Sequence, residues 1–202
     1  MVLVIETAPE LEPISLTELC THLRIDEYDS DSAVELEAII EAARESVEDL
    51  TSRKLFTQTW NYYFDAFPCS NYFKIPFGNL QSVAHLKYTD SDSVITTMTV
   101  GTDYIVETNG DQCGRIVLPY GATWPSFTAY PSNPIEVQFI CGWEYDSDGV
   151  SSMPNKYKQA IKLICGDLYA NREGQVLSGE SYRVNRTVLN LLSSCVLYDT
   201  FL

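Results

Sequence analysis

Basic residues are scarce in this chain, and histidine is almost missing. Thirteen Lys and Arg face twenty-eight Asp and Glu, with two His, across 202 residues, a formal net charge of −15. Phosphate contacts supply most of the affinity of nucleic-acid readers, so this excess argues against a protein that grips DNA or RNA. His22 and His85 have no spaced His, Cys or Asp partner, which speaks against a histidine-based metal site and against a Ser–His–Asp arrangement. Glycine runs of the phosphate-cradling or dinucleotide kind are missing, as is the Gly-x-Ser-x-Gly elbow. No apolar run approaches the length of a membrane span, and Met1-Val-Leu-Val-Ile-Glu6 lacks a basic leader, so the chain is expected to be made and kept in a cytoplasm, with no membrane partner. The six cysteines (Cys20, Cys69, Cys113, Cys141, Cys165, Cys195) contain no Cys-x-x-Cys pair and several fall in apolar runs, the pattern of buried free thiols. No enzyme, cofactor or metal is expected. The acidic string 26–31 only superficially resembles a calcium loop, lacking its glycine and closing glutamate.

What the chain does have is one long periodic segment. From Ser32 to Lys54, Leu36, Ile40, Ala43, Val47 and Leu50 recur at steps of four and three, which predicts a helix with a buried stripe. Ser32 and Glu35 form a capping-box pattern at its start, and Arg53 and Lys54 stand at the end favoured by cations. Glu37, Glu41, Glu45 and Glu48 share the opposite face. Each like-charged pair there opposes the helix by roughly 0.2–0.5 kcal/mol, which burial of the apolar stripe outweighs. The strip is either a solvated face or a surface that meets a basic partner and keeps polyanions off.

Upstream, Ser15-Leu-Thr-Glu18 repeats the capping box before a short helix that ends near Arg24. Downstream the period falls to two. Strands are expected over about 57–64, 72–76, 82–88, 94–100, 104–107, 115–118 and 135–143, separated by turn residues such as Asn109-Gly110. In the last of these Ile135, Val137 and Phe139 face one way and Glu136 and Gln138 the other, so one face is wet. Helix returns with Pro154 at a first helical position and a stripe of Tyr157, Ile161, Ile164 and Leu168, stopped by Gly174. A connection over 175–186 and a last helix over 188–197 lead to an apolar tail, Tyr198-Asp-Thr-Phe-Leu202. Trp60, Phe64, Phe67, Trp124 and Trp143 could line a groove, but in a small sheet they read as core.

Helices at both ends with strands between them predict an α+β fold: a small helical bundle from both chain ends with an inserted antiparallel β domain. The expected division is 1–55, an N-terminal arm and helices of the bundle; 56–146, the β domain; and 147–202, helices and tail that complete the bundle.

An ordered series of fragments carries a resemblance. It runs Ala8-Pro9, Pro13-Ile-Ser-Leu-Thr-Glu18, His22-Leu-Arg-Ile-Asp26, Ala42-Ala-Arg-Glu45, Val47-Glu48, Gln58-Thr-Trp60, Phe67-Pro68 and Leu80-Gln-Ser-Val83. It continues with Gly114-Arg-Ile-Val-Leu-Pro-Tyr-Gly121, Trp124-Pro125, Gly142-Trp143, Pro154 with Lys158-Gln-Ala160, and Leu168-Tyr-Ala-Asn-Arg-Glu173. In this order over nearly the whole chain, it resembles the head-tail connector (adaptor) proteins of tailed bacteriophages and related phage-like particles, in the long form with a β insertion. The resemblance implies a structural virion protein at the head-tail junction, synthesised in the host cytoplasm. It would be a ring, usually of twelve copies, between the portal protein and the tail-side stopper or tail terminator proteins. It also implies that double-stranded DNA passes through the ring without specific binding. Twelve copies at −15 would total about −180, which would let the genome slide by. On this reading Glu37, Glu41, Glu45 and Glu48 face the channel or a partner, and Tyr198, Phe201 and Leu202 contact portal or a neighbouring subunit. After Glu173 the chain departs from the family pattern. The alternative from another class is an acidic DNA mimic that occupies the basic groove of an inhibited protein.

Overall fold

A computed structural model describes residues 1–25, 29–145, 152–171 and 185–197. The fold is α+β, with four helices and two antiparallel sheets among the described residues. It divides into two compact units. One holds Met1–Glu10 and Phe56–Trp143, with Leu197; the other holds Leu11–Leu55 and Glu144–Val196.

The first unit is built from eight strands: β1 (Val2–Thr7), β2 (Gln58–Phe64), β3 (Tyr72–Gly78), β4 (Leu80–Thr89), β5 (Ile95–Met98), β6 (Ile105–Glu107), β7 (Cys113–Val117) and β8 (Ile135–Cys141). Five form a sheet in the order β1-β2-β8-β4-β5 and three a smaller sheet, β3-β7-β6. Alternation makes this possible. In β8 Ile135, Val137, Phe139 and Cys141 are buried, and with Tyr62, Phe64 and Leu86 they meet Ile75 and Ile116 of the smaller sheet in one core. The face opposite the core carries a polar network instead of open solvent. The Glu136 carboxylate accepts from Lys87 Nζ at 2.7 Å and lies 2.8 Å from His85 Nε2, while Gln138 donates to Asn61 at 3.1 Å and Asn61 to Glu6 at 3.0 Å. Asn109 and Gly110 both take positive φ, the reason that this pair marks a turn. Gly142 has φ +108°, and a Cβ there would overlap the Phe56 carbonyl beside the Phe56–Trp143 bridge, so only glycine lets the two segments close.

One expectation fails here. Of the stretch 1–55 assigned to the bundle as an arm and helices, Met1–Glu10 instead belongs to the β unit, and its Val2–Thr7 forms β1, which pairs with β2 from Val2 opposite Tyr63 to Thr7 opposite Thr59. The alternating partners on β2 recruit this stretch into the sheet, where Leu3 and Ile5 share the face of Tyr62 and Trp60.

The second unit contains α1 (Leu16–Leu23), α2 (Ser30–Thr51), α3 (Asn155–Ala170) and α4 (Arg186–Leu192). The Ser15 capping box forms as written, with Glu18 N–H donating to Ser15 Oγ at 3.1 Å and Ser15 N–H to Glu18 Oε2 at 3.3 Å. In α2 the cap is Asp29, whose carboxylate accepts from Ser32 N–H at 2.8 Å. Ser32 therefore sits inside the helix, because the aspartate three residues earlier offers a charged acceptor to the same donor. Leu36, Ile40, Ala43 and Val47 are buried as the stripe requires, but Leu50 is 37% exposed. The buried line turns instead through Arg44, Glu48 and Thr51, three polar residues at steps of four and three. Pro154 stands at the N-cap of α3, one place before the position expected, and Tyr157, Ala160, Ile161 and Cys165 form its buried face; Ile164 and Leu168 are half-buried. The last helix stops at Leu192, short of the predicted 197. The linker 26–28, the loop 146–151, the stop at Gly174 with most of the 175–186 connection, and the tail 198–202 lie outside the described residues.

Candidate functional site

The acidic strip of α2 resolves into two different surroundings. Glu37, Glu41 and Glu45 are exposed, whereas Glu48 is 3% exposed. A partner- or channel-facing role for Glu48 is thereby corrected: its carboxylate is consumed internally. Oε1 accepts from Leu55 N–H at 2.9 Å, and Oε2 accepts from Lys54 Nζ at 3.0 Å and lies 3.5 Å from an Arg44 guanidinium nitrogen. Lys54 thus neutralises a buried carboxylate instead of only the helix dipole, and Arg53 donates to the Cys195 carbonyl at 2.6 Å.

Arg44 is the hub of this region. Its Nε lies 3.1 and 3.0 Å from the two carboxylate oxygens of Glu12, and its Nη2 lies 3.8 Å from Glu41 and 4.0 Å from Glu45. Burial pushes the Glu12 carboxyl up despite that pairing. One guanidinium thus shares four carboxylates, and the two exposed ones receive only its outer reach. The negative charge of the strip is therefore only partly offset.

Beside the strip lies an open groove of about 600 Å³ between the segment that leads into α1 and the first three turns of α2. Ile14 and Ile40 are its buried floor, Leu11 and Val34 are exposed at 52% and 67%, Ala38 lies between, and Glu37 and Glu41 stand at the edge with Glu12. Sequence reasoning took α2's face from the glutamates alone and overlooked this groove and the Arg44 hub. The signal was present in both cases: Arg44 is the one basic residue in α2, and Val34 and Ala38 repeat at i, i+4 off the core stripe.

The aromatic set lies with the core, as read. Phe64 is buried, and Trp60, Phe67 and Trp124 pack against the same cluster, with Phe67 and Trp124 stacked at 4.9 Å and 3°. Trp143, in the bridge to Phe56, is half-buried. All six cysteines are free, and Cys69 alone of them is exposed. Burial pushes the Cys165 thiol up to about 12, and its Sγ donates to the Ile39 carbonyl at 3.8 Å. Among the described residues no group of three or more His, Cys, Asp and Glu is arranged to hold a metal, and no helix is long and apolar enough to cross a membrane. Tyr198, Phe201 and Leu202 lie outside the described residues.

With two open antiparallel sheets and a four-helix unit defined, the fold can be set beside known ones. No family model matches the chain, and no curated protein matches it. Solved structures do, over its whole length. A chain from the neck of an empty GTA particle computed with C6 symmetry superposes with a TM-score of 0.77 at 19% identity, covering 100% of this chain and 98% of that one. A chain from the virion of a native gene transfer agent particle gives 0.74 at 18% identity, and one from the neck of a native GTA particle computed with C12 symmetry gives 0.70 at 19%, with the same coverage. The chain has the fold of these proteins, and the resemblance carried by its ordered motifs is met at the level of architecture.

Proposed function

We propose that this protein is a non-enzymatic structural component of a virion neck, a head-tail connector that joins the portal to the tail. The observation that carries the reading is the end-to-end likeness to chains of particle necks, which covers 100% of this chain and 98% of each of those. Those necks were computed with sixfold and twelvefold symmetry, and a ring of twelve copies is the assembly proposed here. Its partners are the portal above and a stopper or tail terminator protein below. At −15 per copy the ring wall repels the passing duplex, so genome moves through it without adhering. Of the strip, Glu37, Glu41 and Glu45 are the residues available to a channel or a partner; Tyr198, Phe201 and Leu202 are proposed to contact portal or a neighbouring subunit. A particle component is the localisation that follows.

Electron microscopy of purified particles with the protein labelled tests the reading. The expected result is one ring of label at the collar between capsid and tail. Label elsewhere, or a recombinant protein that stays monomeric and ignores portal, overturns it.

A further inference from the structure

We infer that the groove between residues 11–16 and α2 is the docking site for a short segment of another protein that combines large apolar side chains with Lys or Arg. Three features converge. The floor and sides are apolar, yet Leu11 and Val34 remain over half exposed, more than any other large aliphatic residue described in this unit. Glu37, at the edge, has no ion-pair partner among the described residues, and Glu41 has only the 3.8 Å approach of an Arg44 already committed to Glu12. Val34 and Ala38, and likewise Glu37 and Glu41, repeat at i, i+4, so an apolar pair and an acidic pair, each about 6 Å long, lie on adjacent strips within the roughly 10 Å of α2 from Val34 to Glu41. Such paired lines fit an elongated amphipathic segment better than a compact small molecule. An anionic partner is disfavoured by sign, and so is nucleic acid.

A second copy of this chain is a poor occupant on the same grounds. At −15 per copy two chains repel, and among the described cations Arg44, Lys54, Lys87, Arg115 and Lys162 already pair with carboxylates, and Arg53 with a carbonyl. The occupant therefore comes from a protein that carries the positive charge this one lacks. This inference stands whether or not the protein sits in a neck.

The test uses the full chain and a fluorescent synthetic helical peptide in which Leu recurs at i, i+4 among Lys, read by anisotropy at moderate salt. The peptide is expected to bind the native protein. Glu37→Lys with Glu41→Lys weakens it by about tenfold or more, and Val34→Asp does the same. Asp92→Lys with Asp111→Lys, an equal charge change on exposed loops of the β unit, leaves it unchanged. All three variants alter exposed side chains, and circular dichroism checks that each is folded. Failure to bind, equal weakening by the Asp92/Asp111 pair, or equal binding of a Ser/Lys peptide overturns the inference. So does self-association of the native chain that Val34→Asp abolishes, which would make a second copy the occupant.

Discussion

Glu48 holds a lysine, an arginine and a backbone N–H at once in a place that water does not reach. Removing that carboxylate takes a buried counter-charge from Lys54 and Arg44 and the acceptor from the Leu55 N–H, which costs about 3–5 kcal/mol. Glu48→Ala should lower the urea midpoint accordingly, while Glu37→Ala, at an exposed position with no ion pair among the described residues, should stay within about 0.5 kcal/mol. Glu136 gives a second prediction of opposite chemistry. Burial alone would raise its carboxyl, but hydrogen bonds and charge from Lys87 and His85 outweigh burial and hold it below the ordinary carboxylate range. A depressed folded-state value means that the stabilisation is present above the unfolded value and is lost as pH falls through the folded one. Glu136→Gln should therefore lower the thermal midpoint near neutrality, where the charged carboxylate stabilises the fold, and the gap from the native protein should close as pH falls below about 4.

Among the elements, helix starts give the sharpest contrast. Ser15 makes both reciprocal bonds of its capping box, whereas Ser32 contributes only a backbone N–H that any residue would supply. Ser15→Ala is expected to cost about 1 kcal/mol and Ser32→Ala almost nothing, measured by chemical denaturation. The two motifs look alike on paper. What separates them is Asp29, which reaches the same donor first. Periodicity made the existence and type of nearly every helix and strand readable, because a buried stripe or an alternating face is a local property. Long-range pairing was not readable in the same way. Residues 2–7 become a strand only because β2, more than fifty positions later, presents Tyr62 and Trp60 beside them. The Arg44 hub is likewise invisible to spacing, since Glu12 comes from another segment 32 positions away. The groove was missed for that reason too: half its lining lies up to the first residue of α1 and half within α2.

At the scale of the whole molecule, the distribution of charge matters more than any single pair. Arg44, Lys54 and Arg53 are drawn into internal contacts, and the surface of α2 is left acidic, so association with neutral or negative partners must rest on apolar contact while positive partners gain from steering. The proposed ring would feel this directly. Deleting Tyr198–Leu202 is expected to yield heads without tails in a producing host, counted by electron microscopy, and normal infectious particles from the deletion would remove those residues from the interface. The ordered motifs made the class of protein readable because they span both units in sequence; the surfaces of contact stayed hidden, since exposure is decided by packing.

Among six thiols, five are enclosed and Cys69 alone meets solvent, in the β unit between β2 and β3. A maleimide dye should consequently attach once per chain without any engineering, leaving a single spectroscopic reporter on native material. Counting photobleaching steps from that dye would then give the copy number of whatever assembly the protein enters.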